Sequence, residues 1–130
     1  MLNGQTILTS CRIQEAIALS SGEAELKATC RGLTEALGIR EALEFVNQQE
    51  IHLSHWTDST AAYGVLKRKG SGGIKHLTVR QLWTQEVFQQ PLTTTDRMPR
   101  LNNPADALCS ASTTESLARH LTAMHFEITP

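Results

Sequence analysis

A capping box at the head of a long helical repeat restricts this chain more than any other feature. Ser20-Ser21-Gly22-Glu23 sets a hydroxyl three residues ahead of a glutamate. In that arrangement the cap side chain takes the third helical amide and the glutamate reaches back to the cap. Behind it, apolar residues fall at Leu26, Cys30, Leu33 and Leu37, then at Ile39, Leu43 and Val46. The leading spacings predict a helix with one buried face from about Ser21 to about Asn47. It would be about 40 Å long at 1.5 Å per residue. Gly32 and Gly38 weaken it by about 1 kcal/mol each unless something packs close to them.

A helix of that length needs a layer to lie on, and the flanking segments read as strands. The β-prone stretches are residues 6–8, 16–19, 51–57 and 92–95. The long helix is expected to pack on their sheet through Leu26, Leu33 and Leu37. Residues 60–68 form a short helical pattern, and Gly70-Ser71-Gly72-Gly73 a loop. Residues 75–90 form a third helical pattern, with Leu77, Leu82, Trp83 and Val87 or Phe88 as its apolar positions, ended by Pro91. Asn103-Pro104-Ala105-Asp106 looks like a helix start, and residues 113–123 like a last helix. The order β-β-α-β-α-α-β-α predicts an α/β fold, a mixed sheet with flanking helices, in one domain spanning residues 1–130.

The formal charge of −1 gives no global case for nucleic acid or an acidic membrane. No apolar run is long enough to span a bilayer, and residues 1–5 lack the pattern of a signal peptide. Cys11, Cys30 and Cys109 make neither a disulfide framework nor a zinc ligand pattern. These features predict an intracellular protein, cytoplasmic or nuclear and not secreted, with reduced thiols.

The chemistry is carried by carboxylates. Glu25 falls in the first turns of the long helix, and Asp58 follows the apolar run at 51–57. Acids on two elements are one way to build an oxygen-ligand metal site. Glu23 competes with Glu25, but two residues along a helix point about 200° apart. If Glu23 completes the capping box, Glu25 is left for the site. Asp58 has an alternative role as the N-cap of the next helix, a role that Ser59 can also fill. No Asp precedes Asp58.

Net charge conceals a local basic stripe. Residues 59–85 contain no acid but hold Lys67, Arg68, Lys69, Lys75 and Arg80, with His76 beside Lys75. Such a stripe suits a phosphate backbone, and equally a solvated helix face and basic loop. The glycine loop is not a Walker A motif, since no Gly-Lys-Ser/Thr follows. His52 and His55, three apart in a strand, lie on opposite faces, which argues against a metal pair.

Gln14 to Glu25 with its Ser20-Ser21-Gly22-Glu23-Ala24-Glu25 core, Thr57-Asp58-Ser59, Lys75-His76 and Asn103-Pro104-Ala105-Asp106 occur in an order and spacing that resembles the ribonuclease H domain of copia-type (Ty1/copia) retrotransposon polyproteins. The resemblance covers residues 5–108. It implies a ribonuclease H-like mixed sheet and Mg²⁺-dependent cleavage, with Mn²⁺ as a substitute, of the RNA strand of an RNA–DNA hybrid. It assigns Glu25, Asp58 and Asp106 as catalytic carboxylates and metal ligands. The implied partners are the hybrid and the reverse transcriptase and integrase parts of a parent polyprotein. The family's domain begins with a strand carrying a first catalytic Asp. That strand has no counterpart here, so the expectation is an N-terminally incomplete domain, inactive alone. The alternative expectation is a non-catalytic ribonuclease H-like module that binds nucleic acid or a protein partner.

Overall fold

The computed structural model describes residues 1–2, 4–11, 18, 20–70, 79–108 and 113–125. The side chains of Arg80 and Leu108 are outside that description. The chain is a mixed α/β protein with two compact units, Ala16–Arg97 and Met1–Glu15 with Met98–Pro130.

The first unit is built on helix α1, Ser21–Asn47. Ser20 is its N-cap, accepting the Glu23 amide at 3.1 Å. Gln48, in the left-handed region at φ 54°, ends it and donates its amide to the Glu44 carbonyl. Pairs four residues apart brace the exterior: Glu23–Lys27 at 2.9 Å, Arg31–Glu35 at 3.9 Å and Arg40–Glu44 at 3.8 Å. Only the first half of α1 has a buried face, made by Leu26, Thr29, Cys30 and Leu33. Leu37, Ile39 and Leu43 are half-buried, and Val46 is exposed, as is Phe45.

Strands β1, Leu53–Thr57, and β2, Thr93–Arg97, pair in parallel, with Leu53 opposite Thr93 and Thr57 opposite Arg97. A parallel pair needs a crossover. The described part of this one contains α2, Thr60–Leu66, and α3, Val79–Val87. Helix α2 is the hub, packing against both strands and against α1 and α3. Leu26, Val65 and Leu66 form the core cluster, with Phe88 packed on it.

Helix α1 packs chiefly on α2 and α3 rather than directly on a sheet. It reaches the strands through polar groups in its second half. The Arg40 guanidinium donates to Thr93 Oγ1 at 3.3 Å, and the Glu44 carboxylate accepts the Ile51 amide at 2.9 Å.

The apolar stripe expected of α3 is corrected. Its most deeply buried residues are Gln81, Thr84 and Gln85 with Val87, while Leu82 and Trp83 are half-buried. Leu77 lies outside the described residues. Thr84 and Gln85 can occupy this position because their bonds are made internally: Thr84 Oγ1 donates to the Gln81 carbonyl at 2.6 Å. Gln85 Nε2 donates to the carbonyls of Val65 at 2.9 Å and Gly70 at 3.1 Å, and its Oε1 accepts the Gly70 amide at 2.9 Å. One side-chain amide thereby holds the end of α2 and the start of the following loop, where Gly70 sits at φ 78°.

Residues 6–8 form no strand. Gly4 at φ 81° turns the chain so that Leu2 and Gln5 make an isolated antiparallel bridge. Ile7 and Leu8 remain exposed, and Thr6 Oγ1 donates to the Met124 carbonyl at 3.1 Å. A β-prone tripeptide becomes a strand only where a sheet edge offers it a ladder, and no described strand does so here. Of the expected strand at 16–19, all but Ala18 lies outside the described residues. The second unit also holds two 3-10 segments, Arg100–Asn102 and Pro104–Leu108, and helix α3's successor α4, Thr114–Ala123, capped by Thr113. No helix among the described residues is long and apolar enough to cross a membrane.

Candidate carboxylate site and basic face

Asp58 stands at the carboxyl end of β1, half-buried between the strand and α2. The turn it occupies is fixed by its neighbours. Buried Thr57 accepts the Ser59 amide on its hydroxyl at 3.1 Å. Ser59 is the N-cap of α2 and accepts the Ala62 amide at 3.1 Å. The capping role that competed for Asp58 therefore belongs to Ser59. Asp58 has no hydrogen bond or ion pair among the described residues. A half-buried carboxylate in that state is the kind of group that takes a cation or a donor from outside.

Glu25 is exposed on α1. On a helical projection it lies about 60° from Gly22, at the rim of the buried face that Gly22, Leu26, Thr29 and Leu33 share. Glu23 is separated from it as expected. Its amide is bound by Ser20, and its carboxylate pairs with Lys27.

What relates Glu25 to Asp58 is the contact between the first turns of the two helices. A Cβ at Gly22 would stand 3.0 Å from the Ala61 Cβ. Gly22 is three residues before Glu25, and Ala61 is three residues after Asp58. Each carboxylate is therefore one helical turn or its equivalent from a single point of close approach.

Asp106 belongs to the other compact unit, in the 3-10 segment Pro104–Leu108. Its Oδ2 pairs with Arg100 Nε at 3.3 Å, and the local cap is Asn103, whose side chain accepts the Ala105 amide at 3.2 Å. Among the described residues, no three of His, Cys, Asp and Glu gather closely enough to hold a metal ion.

The basic stripe is described in part. Lys67 and Lys69 are exposed just beyond the end of α2, with Lys67 Nζ 5.5 Å from the Tyr63 ring centroid. Arg68 is half-buried, and Arg80 is the second residue of α3. Lys75 and His76 lie outside the described residues.

Two residues matter more than their sequence context signals. Gln85 has no mark distinguishing it from any polar helix residue. His55 shares a hydrogen bond between its Nδ1 and Thr95 Oγ1 at 2.9 Å, and its ring lies 5.1 Å from that of Phe88. Burial holds its pKa below the ordinary value of 6.5. His52, by contrast, is exposed and bonded to Ser54, so the two imidazoles do not form a pair. Comparison with protein-family models, with curated proteins and with solved structures finds no match to this chain.

Proposed function

We propose that this chain is a ribonuclease H-like module whose chemistry is directed at RNA–DNA hybrids. The observation that carries the reading is Asp58: a half-buried carboxylate at the end of a parallel strand, relieved of capping by Ser59 and without a partner among the described residues. In open α/β sheets, ligands bind beyond the carboxyl ends of the strands. Glu25, one turn beyond the Gly22–Ala61 approach, supplies the second carboxylate. The resemblance to the copia-type family implies a catalytic role for Asp106 as well, which stands in the other compact unit paired with Arg100.

Two carboxylates offer hard oxygen donors, which suit Mg²⁺ or Mn²⁺. When bound, such ions activate water and stabilise a leaving oxygen in phosphodiester hydrolysis. The chain's own residues have simpler tasks. Asp58 and Glu25 present negative charge at a fixed place, Ser59 and Thr57 hold the turn, and Lys67 with Lys69 attracts the phosphate backbone. A hybrid is distinguishable from duplex DNA by the 2′-hydroxyls of one strand.

A second reading, a non-catalytic module binding nucleic acid or a protein partner, is favoured by the exposed Lys67 and Lys69. Hybrid cleavage assays with Mg²⁺ and with Mn²⁺ separate the two. The expected result is cleavage at background by the 130-residue chain with salt-sensitive hybrid binding. A fusion carrying an upstream Asp-bearing strand should cleave, and Asp58→Asn should abolish that cleavage. A fusion that binds hybrid but never cleaves it supports the second reading. Absence of both binding and cleavage refutes both.

A further inference from the structure

Three consecutive basic residues, Lys67, Arg68 and Lys69, follow directly on α2. Adjacent like charges repel, so such a run stays extended unless something closes it. Here one buried side chain closes it from both sides. Gln85 Nε2 donates to the Val65 carbonyl at 2.9 Å and to the Gly70 carbonyl at 3.1 Å, and its Oε1 accepts the Gly70 amide at 2.9 Å. Val65 and Gly70 bracket the basic residues, and their carbonyls meet at a single nitrogen. Gly70 sits at φ 78°, which glycine adopts without strain. Lys67 is fixed further. Its amide donates to the Tyr63 carbonyl at 3.0 Å, and its ammonium lies 5.5 Å from the Tyr63 ring centroid. Lys67 and Lys69 are exposed, Arg68 is half-buried, and neither lysine forms an ion pair among the described residues.

We propose that Gln85 is a positioning residue that pre-forms residues 67–69 as a binding turn for the phosphates of a nucleic-acid backbone. This rests on the reading of the basic residues as the face that meets an RNA–DNA hybrid. A binding segment that is already ordered loses little affinity to its own ordering. Without the clamp, the backbone of the basic run must be ordered on association, and that entropy is taken from the affinity.

The test measures binding of the 130-residue chain to a short RNA–DNA hybrid by fluorescence anisotropy, over a salt series and without divalent metal. Wild type should bind, with log K falling linearly against log salt concentration. Lys67→Ala with Lys69→Ala should weaken binding and reduce that slope by about 2, one for each phosphate contact. Gln85→Leu keeps every charge and should weaken binding by about tenfold, the size of ordering one or two side chains on association. Gly70→Ala places a side chain at the left-handed φ of the same turn and should weaken binding in the same direction. Thr84→Val removes the neighbouring hydrogen bond to the Gln81 carbonyl without touching the clamp, and should bind as wild type. Added to the lysine pair, Gln85→Leu should have no further effect, because both act through one turn. Circular dichroism at the binding temperature reports folding of each variant. Where Gln85→Leu fails to fold, Gly70→Ala carries the same comparison.

A wild-type chain that binds no hybrid, or binds it independently of Lys67 and Lys69, overturns the reading of the basic face and the positioning role with it. Binding that depends on the lysines but is unchanged in folded Gln85→Leu overturns the positioning role alone. So does a Gln85→Leu loss that persists in full without the two lysines, or one that Thr84→Val matches.

Discussion

Helix α1 contains an internal control for how closely its surface is packed. Gly32→Ala and Gly38→Ala each place a methyl where nothing stands within 4 Å. Each substitution removes a helix-interior glycine, worth about 1 kcal/mol. The sites are six residues apart, about 9 Å along the axis, far enough for their effects to add. The double variant should therefore gain about 2 kcal/mol. For a chain of this size that corresponds to about 3–4 °C per substitution.

At Gly22 the same propensity gain is opposed by the 3.0 Å approach to Ala61. Overpacking costs about 1–3 kcal/mol, so Gly22→Ala should lie between neutral and about 2 kcal/mol destabilising. The order Gly32→Ala and Gly38→Ala above wild type, with Gly22→Ala at or below it, does not depend on the absolute values. Urea denaturation followed by far-ultraviolet circular dichroism gives the midpoints, and amide hydrogen exchange within α1 assigns the change to this helix. A Gly22→Ala variant as stabilised as Gly32→Ala would show that the first turns of α1 and α2 do not meet. Destabilisation by Gly32→Ala or Gly38→Ala would show that something covers that face.

Three further outcomes follow from particular contacts. Gln85→Leu removes the three bonds to Val65 and Gly70 and leaves the buried Val65 carbonyl without this donor, so it should cost about 1–3 kcal/mol and raise exchange at the Gly70 amide; a near-neutral midpoint would contradict the clamp. His55 has a folded-state pKa held below its unfolded value of 6.5 by burial, so the unfolded chain binds the proton more readily. Its contribution is therefore fully present above pH 6.5 and is lost as the pH falls through 6.5 and on through the lower folded value. Denaturation midpoints from pH 8 to pH 5 should decline, and His55→Phe should flatten that decline. Glu44→Ala deprives the Ile51 amide of its acceptor and should cost about 1 kcal/mol, with exchange at Ile51 as the check.

Legibility in the sequence varied with how local the deciding physics was. The capping box and the heptad-like spacing located α1 because both signals lie within a few residues, and the helix spans Ser21–Asn47. The strands at β1 and β2 were readable from short β-prone runs flanked by breakers. The Thr6-Ile7-Leu8 segment carries the same composition but lacks a described partner edge, which only the tertiary fold can supply. The buried face of α3 was misread because periodicity counts apolar residues, and this helix buries Gln81, Thr84 and Gln85. A satisfied buried amide is invisible until its acceptors are known. Within the site, helix geometry separated Glu23 from Glu25, and chain order offered Ser59 as the alternative cap to Asp58. The Gly22–Ala61 approach was not legible, since it joins residues 39 positions apart.

The position of Asp58 depends on α2, and α2 is too short to be stable alone. At seven residues it falls well below the length at which isolated helices persist in water. Its order must be supplied from outside, and it is supplied at both ends. Ser59 caps the first turn, beside the contact with Gly22. At the far end, Gln85 takes the Val65 carbonyl and both backbone groups of Gly70. Along its length, Ala62, Val65 and Leu66 are buried against α1, α3 and the strands. A carboxylate presented by such an element is held by its neighbours' hydrogen bonds rather than by its own, which leaves its oxygens available for chemistry. The polar clamp in α3, at odds with a simple apolar stripe, is what allows a seven-residue helix to act as a rigid mount.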